Sequence, residues 1–248
     1  MNAIYILWLR AVKRYLRSKP RIIAALGQPL LFLLGLGFGL GPIFQRAGAG
    51  NYIQFLAPGV IGMTVMFTSV FSGIELIWDR QFGFLKETLV APVPRSLIMI
   101  GRTVGGATVA MIQGLIVVII CLIAGFRVTT WSALPMAVLF MLLVSVMFTA
   151  LGTAIASVLS DFQGFQLIMN FLVMPMFFLS GALFPLAGLP KVMEIVTEID
   201  PLSYGVDGLR SALIANAHFG VSVDLIVLTA VSAVLLGLGT YLFSRIQL

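Results

Sequence analysis

Six stretches free of Asp, Glu, Lys and Arg set the rhythm of this chain: residues 22–45, 47–74, 103–126, 128–160, 162–190 and 225–244. They run for 24, 28, 24, 33, 29 and 20 residues. A helix crosses the hydrocarbon core of a bilayer in about 20 residues, with a range of about 17–25. Each stretch therefore holds one span, and none comfortably holds two. The predicted spans lie near 22–41, 56–78, 98–124, 134–158, 164–184 and 224–244. The runs do not alternate polar with apolar at period two, which excludes the strands of a membrane barrel. The expectation is an all-α polytopic membrane protein with six transmembrane helices. Residues 1–20 form an amphipathic interfacial helix, and residues 21–248 form a single six-helix domain.

Composition supports the same solvent. Hydrophobic residues make up 60% of the 248 and charged residues 10%, with a mean hydropathy of +1.11. Soluble domains carry about 25% charged residues, so this chain has too little charge to face water on all sides. A net charge of +6 could suggest nucleic acid, but its distribution reads as topology instead. Arg10, Lys13, Arg14, Arg17, Lys19, Arg21, Arg80, Lys86, Arg95, Arg102 and Arg245 fall on one side of a six-span arrangement. Arg46, Arg127, Lys191 and Arg210 fall on the other. The positive-inside rule makes the richer side cytoplasmic, together with both termini and the loop around residues 79–96. The small residues Ala47-Gly48-Ala49 resemble a processing site. The apolar run before them exceeds the 7–15 residues of a signal-peptide core, so that run is read as a retained span.

Between the spans, three polar interruptions stand out. In the start, "MNAIYILWLRAVKRYLRSKP", Arg10, Lys13, Arg14 and Arg17 form one helical stripe and Ile4, Trp8, Val12 and Tyr15 another. That pattern lies in the membrane interface with its basic face toward headgroups, and Pro20 ends it. In "DRQFGFLKETLVAPVPRS", one helix through Asp79–Leu89 puts Phe82, Leu85 and Leu89 on an apolar stripe. Asp79, Arg80, Gly83, Lys86 and Glu87 then share the free side, and Pro92 and Pro94 stop the helix. On the other side of the membrane, span five meets Ser180-Gly181 and Pro185. Two short amphipathic segments come next, beginning at Pro190 and at Pro201. Too polar to cross and too apolar for a free loop, they are read as a re-entrant helical hairpin before the last span. Small-residue pairs, Gly35/Gly39, Gly37/Gly41 and Gly101/Gly105, allow close helix packing within a bundle or a dimer.

Few residues offer chemistry. There is no Gly-x-x-x-x-Gly-Lys-Ser/Thr loop for nucleotide phosphates and no His-Glu-x-x-His helix. His218 stands alone, and the single Cys121 excludes an internal disulfide. No metal site is expected. Glu75, Arg102 and Arg127 lie near span ends, where snorkelling accounts for them, and Arg80 is placed to pair with Glu75 where the helix frays. The span interiors read as free of charge. That argues against ion-coupled transport by a stand-alone channel or secondary transporter, the alternative function, and against a membrane-embedded enzyme.

Two motifs carry a resemblance. "DRQFGFLKETLVAPVPRSLIMIGR" resembles the cytoplasmic signature of type-2 ABC exporter permeases, with an acidic residue and Arg, a Gly, a Glu and an Ala-Pro run ending in Arg before span three. "LSGALFPLAGLPKVMEIVTEIDPLSYGVDGLR" resembles their second signature, Ser-Gly, Phe-Pro, Leu-Pro, Asp-Pro-Leu-Ser-Tyr and a closing Arg. Gln81 departs from the pattern, which often has a second acidic residue there. The resemblance implies a non-catalytic membrane subunit in the cell inner membrane, with an elbow helix at its start. It implies that two copies form the pathway and that two separate ATP-binding subunits hold ATP and Mg. The segment 79–91 is then a coupling helix, with Arg80, Phe84, Lys86 and Glu87 as contacts to the ATPase. Ser180, Gly181, Pro185, Pro190, Pro201 and Tyr204 fall in an extracellular gate region. The implied cargo is hydrophobic or amphipathic (a drug, a lipid or a lipid-linked glycan), as in daunorubicin- and multidrug-resistance type permeases. No cofactor is expected on this chain.

Overall fold

A computed structural model describes residues 3–46, 50–186 and 188–246. The Ala47-Gly48-Ala49 motif lies outside them. Among the described residues the chain is helical, and six helices are long and apolar enough to cross a membrane. An amphipathic helix, α1 (Ala3–Arg17), precedes the first span, α2 (Lys19–Arg46). The second span is α3 (Tyr52–Phe71), continued after a Ser72-Gly73 turn by α4 (Ile74–Gln81). A short helix, α5 (Phe84–Val90), leads to span three, α6 (Arg95–Ile123). Spans four and five are α7 (Leu134–Val158) and α8 (Phe162–Leu179). Helices α9 (Lys191–Ile199) and α10 (Pro201–Ile214) precede the last span, α11 (Val221–Ser244).

Span two is the centre of the molecule. Leu56, Ala57, Ile61, Val65, Met66 and Val70 on α3 have no measurable exposure, and α3 packs against α6, α7 and α10. Glycines set the depth of that packing. A Cβ on Gly73 would sit 2.3 Å from the carbonyl oxygen of Gly152, and a Cβ on Gly152 would sit 2.3 Å from that of Val70. Only backbone fits at this crossing, which is how small residues bring helices together in lipid. Spans one, five and six are largely open, and one and five share a further feature. Each has a widened π-type turn in its middle, Phe32–Leu36 and Met169–Val173, a feature that bends helices and often marks functional segments.

The glycine pairs divide into two kinds. Gly35, Gly39 and Gly41 have open space where a side chain would begin, and Gly37 touches Ile53. Gly101 and Gly105 seat α1 instead. A Cβ at these positions would meet Ile4 Cα at 3.1 Å and Ala11 Cβ at 2.8 Å. The starting helix is thus packed along span three, with Trp8 Nε1 donating to Thr108 Oγ1 at 3.0 Å. Tyr15 is buried and donates to Gln113. Its basic stripe turns toward the acidic end of span two rather than only toward headgroups.

Candidate functional site

The polar interruption at 79–91 is not one helix. Gly83 takes φ +81°, a left-handed conformation that glycine adopts without steric penalty. The break separates α4 from α5. Leu85 turns inward with 1% exposure, whereas Phe82 turns out with 73%, so the single apolar stripe expected through both does not form. Phe84, Lys86 and Glu87 are exposed on the free side of α5. Phe84 also lies under the Arg10 guanidinium, 5.9 Å from the ring centre, within cation–π range.

Both ends of this segment are gripped by arginines. Arg80 donates from Nη1 to the Leu159 carbonyl at 2.9 Å and from Nη2 to the Ser157 carbonyl at 3.1 Å. Arg95 donates from Nη1 to the carbonyls of Ser244 at 2.6 Å and Ile246 at 2.9 Å. Each therefore caps the carbonyl end of a span, α7 in one case and α11 in the other. Those ends carry unpaired acceptors and the negative pole of the helix dipole, so a cation is favoured there. Arg80 does not pair with Glu75; two of its donors are engaged by the carbonyls of Ser157 and Leu159. The sequence marks Arg95 as the end of the motif but not as a cap, because its partners lie about 150 residues away and are backbone atoms, which leave no residue pattern.

Asp79 is the hub of a second network. Although expected on the free side, it is 3% exposed. Its Oδ1 accepts from Arg10 Nη2 at 2.7 Å and its Oδ2 from Arg102 Nη2 at 2.6 Å, with Arg14 3.9 Å away. Glu75 lies 3.0 Å from Arg21 and 3.6 Å from Arg14. Snorkelling does not describe Arg102, whose side chain is enclosed between α1, α4 and α6. The network ties the starting helix, the end of span two and span three into one body. Charge-assisted contacts of this length are the strong class of hydrogen bond.

At the opposite end, the two short helices take different places. Helix α10 is largely buried and packs on α3, α7 and α11. Helix α9 leaves Val192, Ile195 and Ile199 exposed. Ser180 is buried and donates to the Phe177 carbonyl at 2.9 Å. Gly181 takes φ +71° under Leu186, and its carbonyl accepts from Arg210 Nη2 at 3.0 Å. Arg210 also stands 4.1 Å from the centre of the Phe55 ring. Pro185 is exposed, whereas Pro190 and Pro201 introduce α9 and α10. Tyr204 Oη donates to the Glu198 carbonyl at 2.7 Å, joining α10 to α9. Asp207 accepts backbone N–H bonds from His218 and Phe219 at 2.8–2.9 Å, leaving the His218 ring at the surface. Asp200 accepts the Leu202 N–H at 2.9 Å as the cap of α10. Burial pushes its carboxyl up to about 7, against the lowering effect of that bond. Asp207, Arg210 and Asp224 are all buried; the first two lie on α10 and the third in the first turn of α11, outside the span interiors. No group of three metal-ligating side chains occurs among the described residues.

Spans one, two and five meet at an aromatic cluster. Phe177 on α8 lies 5.5 Å from Phe32 on α2 and 6.1 Å from Phe67 on α3, ring centre to ring centre. Among proteins of known family, the sequence model described as "ABC-2 type transporter" matches residues 2–214, which includes the starting helix, the gripped segment and α10. The chain belongs to this family. It is a multi-pass membrane subunit of an ABC transporter. The permease is similar to Nodulation protein J of Rhizobium leguminosarum bv. viciae, 30% identical over 227 residues, which cover 86% of this chain and 87% of that protein. Nodulation protein J of Rhizobium meliloti (strain 1021) is 28% identical over 225 residues, 87% of this chain and 85% of its own. The putative transport permease ycf38 of Pyropia yezoensis is 32% identical over 207 residues, covering 81% and 70%. Family membership implies association with an ABC ATP-binding subunit.

Proposed function

We propose that this permease exports a hydrophobic or amphipathic molecule, driven by ATP hydrolysed on a separate subunit. Two copies form the pathway in the cell inner membrane, with both termini in the cytoplasm, and two ATP-binding subunits with their ATP and Mg dock on the basic side. The chain itself catalyses no reaction and holds no cofactor. The observation that carries this reading is α5, a short helix with a free face of Phe84, Lys86 and Glu87, held at both ends by arginines on the carbonyl ends of other spans. A push on that face reaches α7 and α11 as well as α4 and α6. Arg80 serves the docking indirectly, by holding the segment, while the exposed trio makes the contact. An aromatic anchor with a charged rim is the composition of an interface hot spot. The Phe32, Phe67 and Phe177 cluster supports apolar cargo, and the region from Ser180 to Tyr204 serves as the outer gate.

The test is Lys86→Glu combined with Glu87→Arg in the purified complex. Loss of ATPase assembly, or of the coupling between ATP turnover and transport, is the expected outcome. Normal assembly together with normal coupled turnover removes the contact assignment.

A further inference from the structure

A cavity of about 300 Å³ opens between the first two spans near their basic ends. Its polar side is formed by Tyr15, Arg21, Gln28 and Thr68, and its apolar side by Phe67 and Phe71. That volume is at the lower end of the roughly 300–1,000 Å³ typical of small-molecule sites. Arg21 lines both this cavity and the adjoining cleft that contains Glu75 and Asp79. Its guanidinium has five N–H donors, and one contact, to Glu75, engages it. Glu75 is also served by Arg14, and Asp79 is shared by Arg10 and Arg102. Four arginines thus face two carboxylates, and uncompensated positive charge stands beside the cavity. The apolar wall continues from Phe71 to Phe67, 6.3 Å apart, and on to Phe177.

Cationic at one end and aromatic along the other, this shape matches one chemistry. We propose that the cavity binds an amphiphile with an anionic headgroup, the head on Arg21 and the hydrocarbon chain along Phe67 and Phe71. A soluble anion leaves the aromatic wall unused, and a neutral amphiphile leaves the arginine unanswered. Two sources supply the chemistry, a resident membrane phospholipid and the transported cargo itself. The cargo source rests on the export reading; the binding does not.

The experiment places the purified permease in nanodiscs with trace phosphatidylglycerol or phosphatidylcholine bearing the same photoactivatable acyl chain. Adducts are mapped by mass spectrometry. Both heads offer a phosphate to Arg21, but the choline cation cancels the net charge of phosphatidylcholine, so phosphatidylglycerol adducts at residues 63–71 are expected to exceed phosphatidylcholine adducts by about tenfold. Arg21→Gln brings the two lipids level, Arg21→Lys keeps much of the preference, and Arg46→Gln at the far end of the span changes nothing. Equal labelling by both lipids in the native chain overturns the proposal, as does an Arg21→Gln chain that is monodisperse and retains the preference. Adducts joining two permease chains at 63–71 in place of lipid adducts also overturn it, because a second copy then fills the space. In a further arm, the ATP-binding subunit and ATP are added. Labelling lost on turnover identifies cargo and labelling retained identifies a resident lipid, and either upholds the site.

Discussion

Asp79 shows how far a single side chain departs from what its neighbours in sequence suggest. On a helical projection it shares a face with Arg80 and Lys86, yet it is buried between Arg10 and Arg102. Those partners lie 69 and 23 positions away, and no spacing rule reaches that far. Breaking a buried pair leaves an uncompensated charge and costs about 3–5 kcal/mol. Asp79→Ala should therefore lower the melting temperature of the detergent-solubilised permease markedly, more than Glu75→Ala, whose partners are half-exposed. Asp200 makes a prediction in pH. Its folded carboxyl binds a proton up to about pH 7, whereas an unfolded aspartate releases it near pH ~3.9. The folded state holds more protons between those values, so its contribution to stability is greatest at the acid end and is lost as pH rises through 7. In Asp200→Asn the amide oxygen still accepts the Leu202 N–H, and the melting temperature should lose this part of its fall between about pH 4 and 7. An unchanged slope would show that another group titrates there.

At the scale of elements, turn chemistry was the weakest sequence signal. Gly83 sat in plain view between two phenylalanines, but a lone glycine reads equally as a helix interior, and the left-handed break was lost. The arginine caps were invisible for a different reason, since backbone carbonyls carry no identity. They nonetheless define the mechanical boundary of α5. Removing the Arg80 head frees acceptors at the end of α7, and removing that of Arg95 frees them at the end of α11. Hydrogen exchange should report this locally. Arg80→Ala should accelerate exchange of the amides at 154–159, and Arg95→Ala that of the amides at 240–246, while each leaves the other's helix end unchanged. Lysine at position 80 keeps the charge without the fork and should give an intermediate effect.

For the whole molecule, charge-free intervals located all six spans, because the bilayer imposes length and apolarity on every crossing helix. What they did not reveal was rank. Span two is enclosed and spans one, five and six are largely open, although all are similarly apolar. Hydropathy measures transfer into lipid and into protein alike. The same ambiguity blurred α9 and α10, which look alike in sequence but lie respectively outside and inside the bundle. Orientation has a direct check. In a Cys121→Ala background, Lys86→Cys should react with a membrane-impermeant maleimide only in inside-out vesicles, and Val192→Cys only in intact cells. Labelling of Lys86→Cys in intact cells would reverse the assignment of sides.

The grip of Arg80 and Arg95 on main-chain oxygens carries a consequence for how this surface tolerates change. Recognition there is encoded on one side only. The partner positions Leu159 and Ser244 contribute their carbonyls whatever side chain they bear, so their side chains are free to drift as far as local packing permits. The two arginines have no such freedom, because each holds two carbonyls at once, Arg80 through both arms of its guanidinium and Arg95 through Nη1. A saturation scan read by transport should therefore find intolerance confined to the arginines, with no matching compensatory changes at the positions they hold.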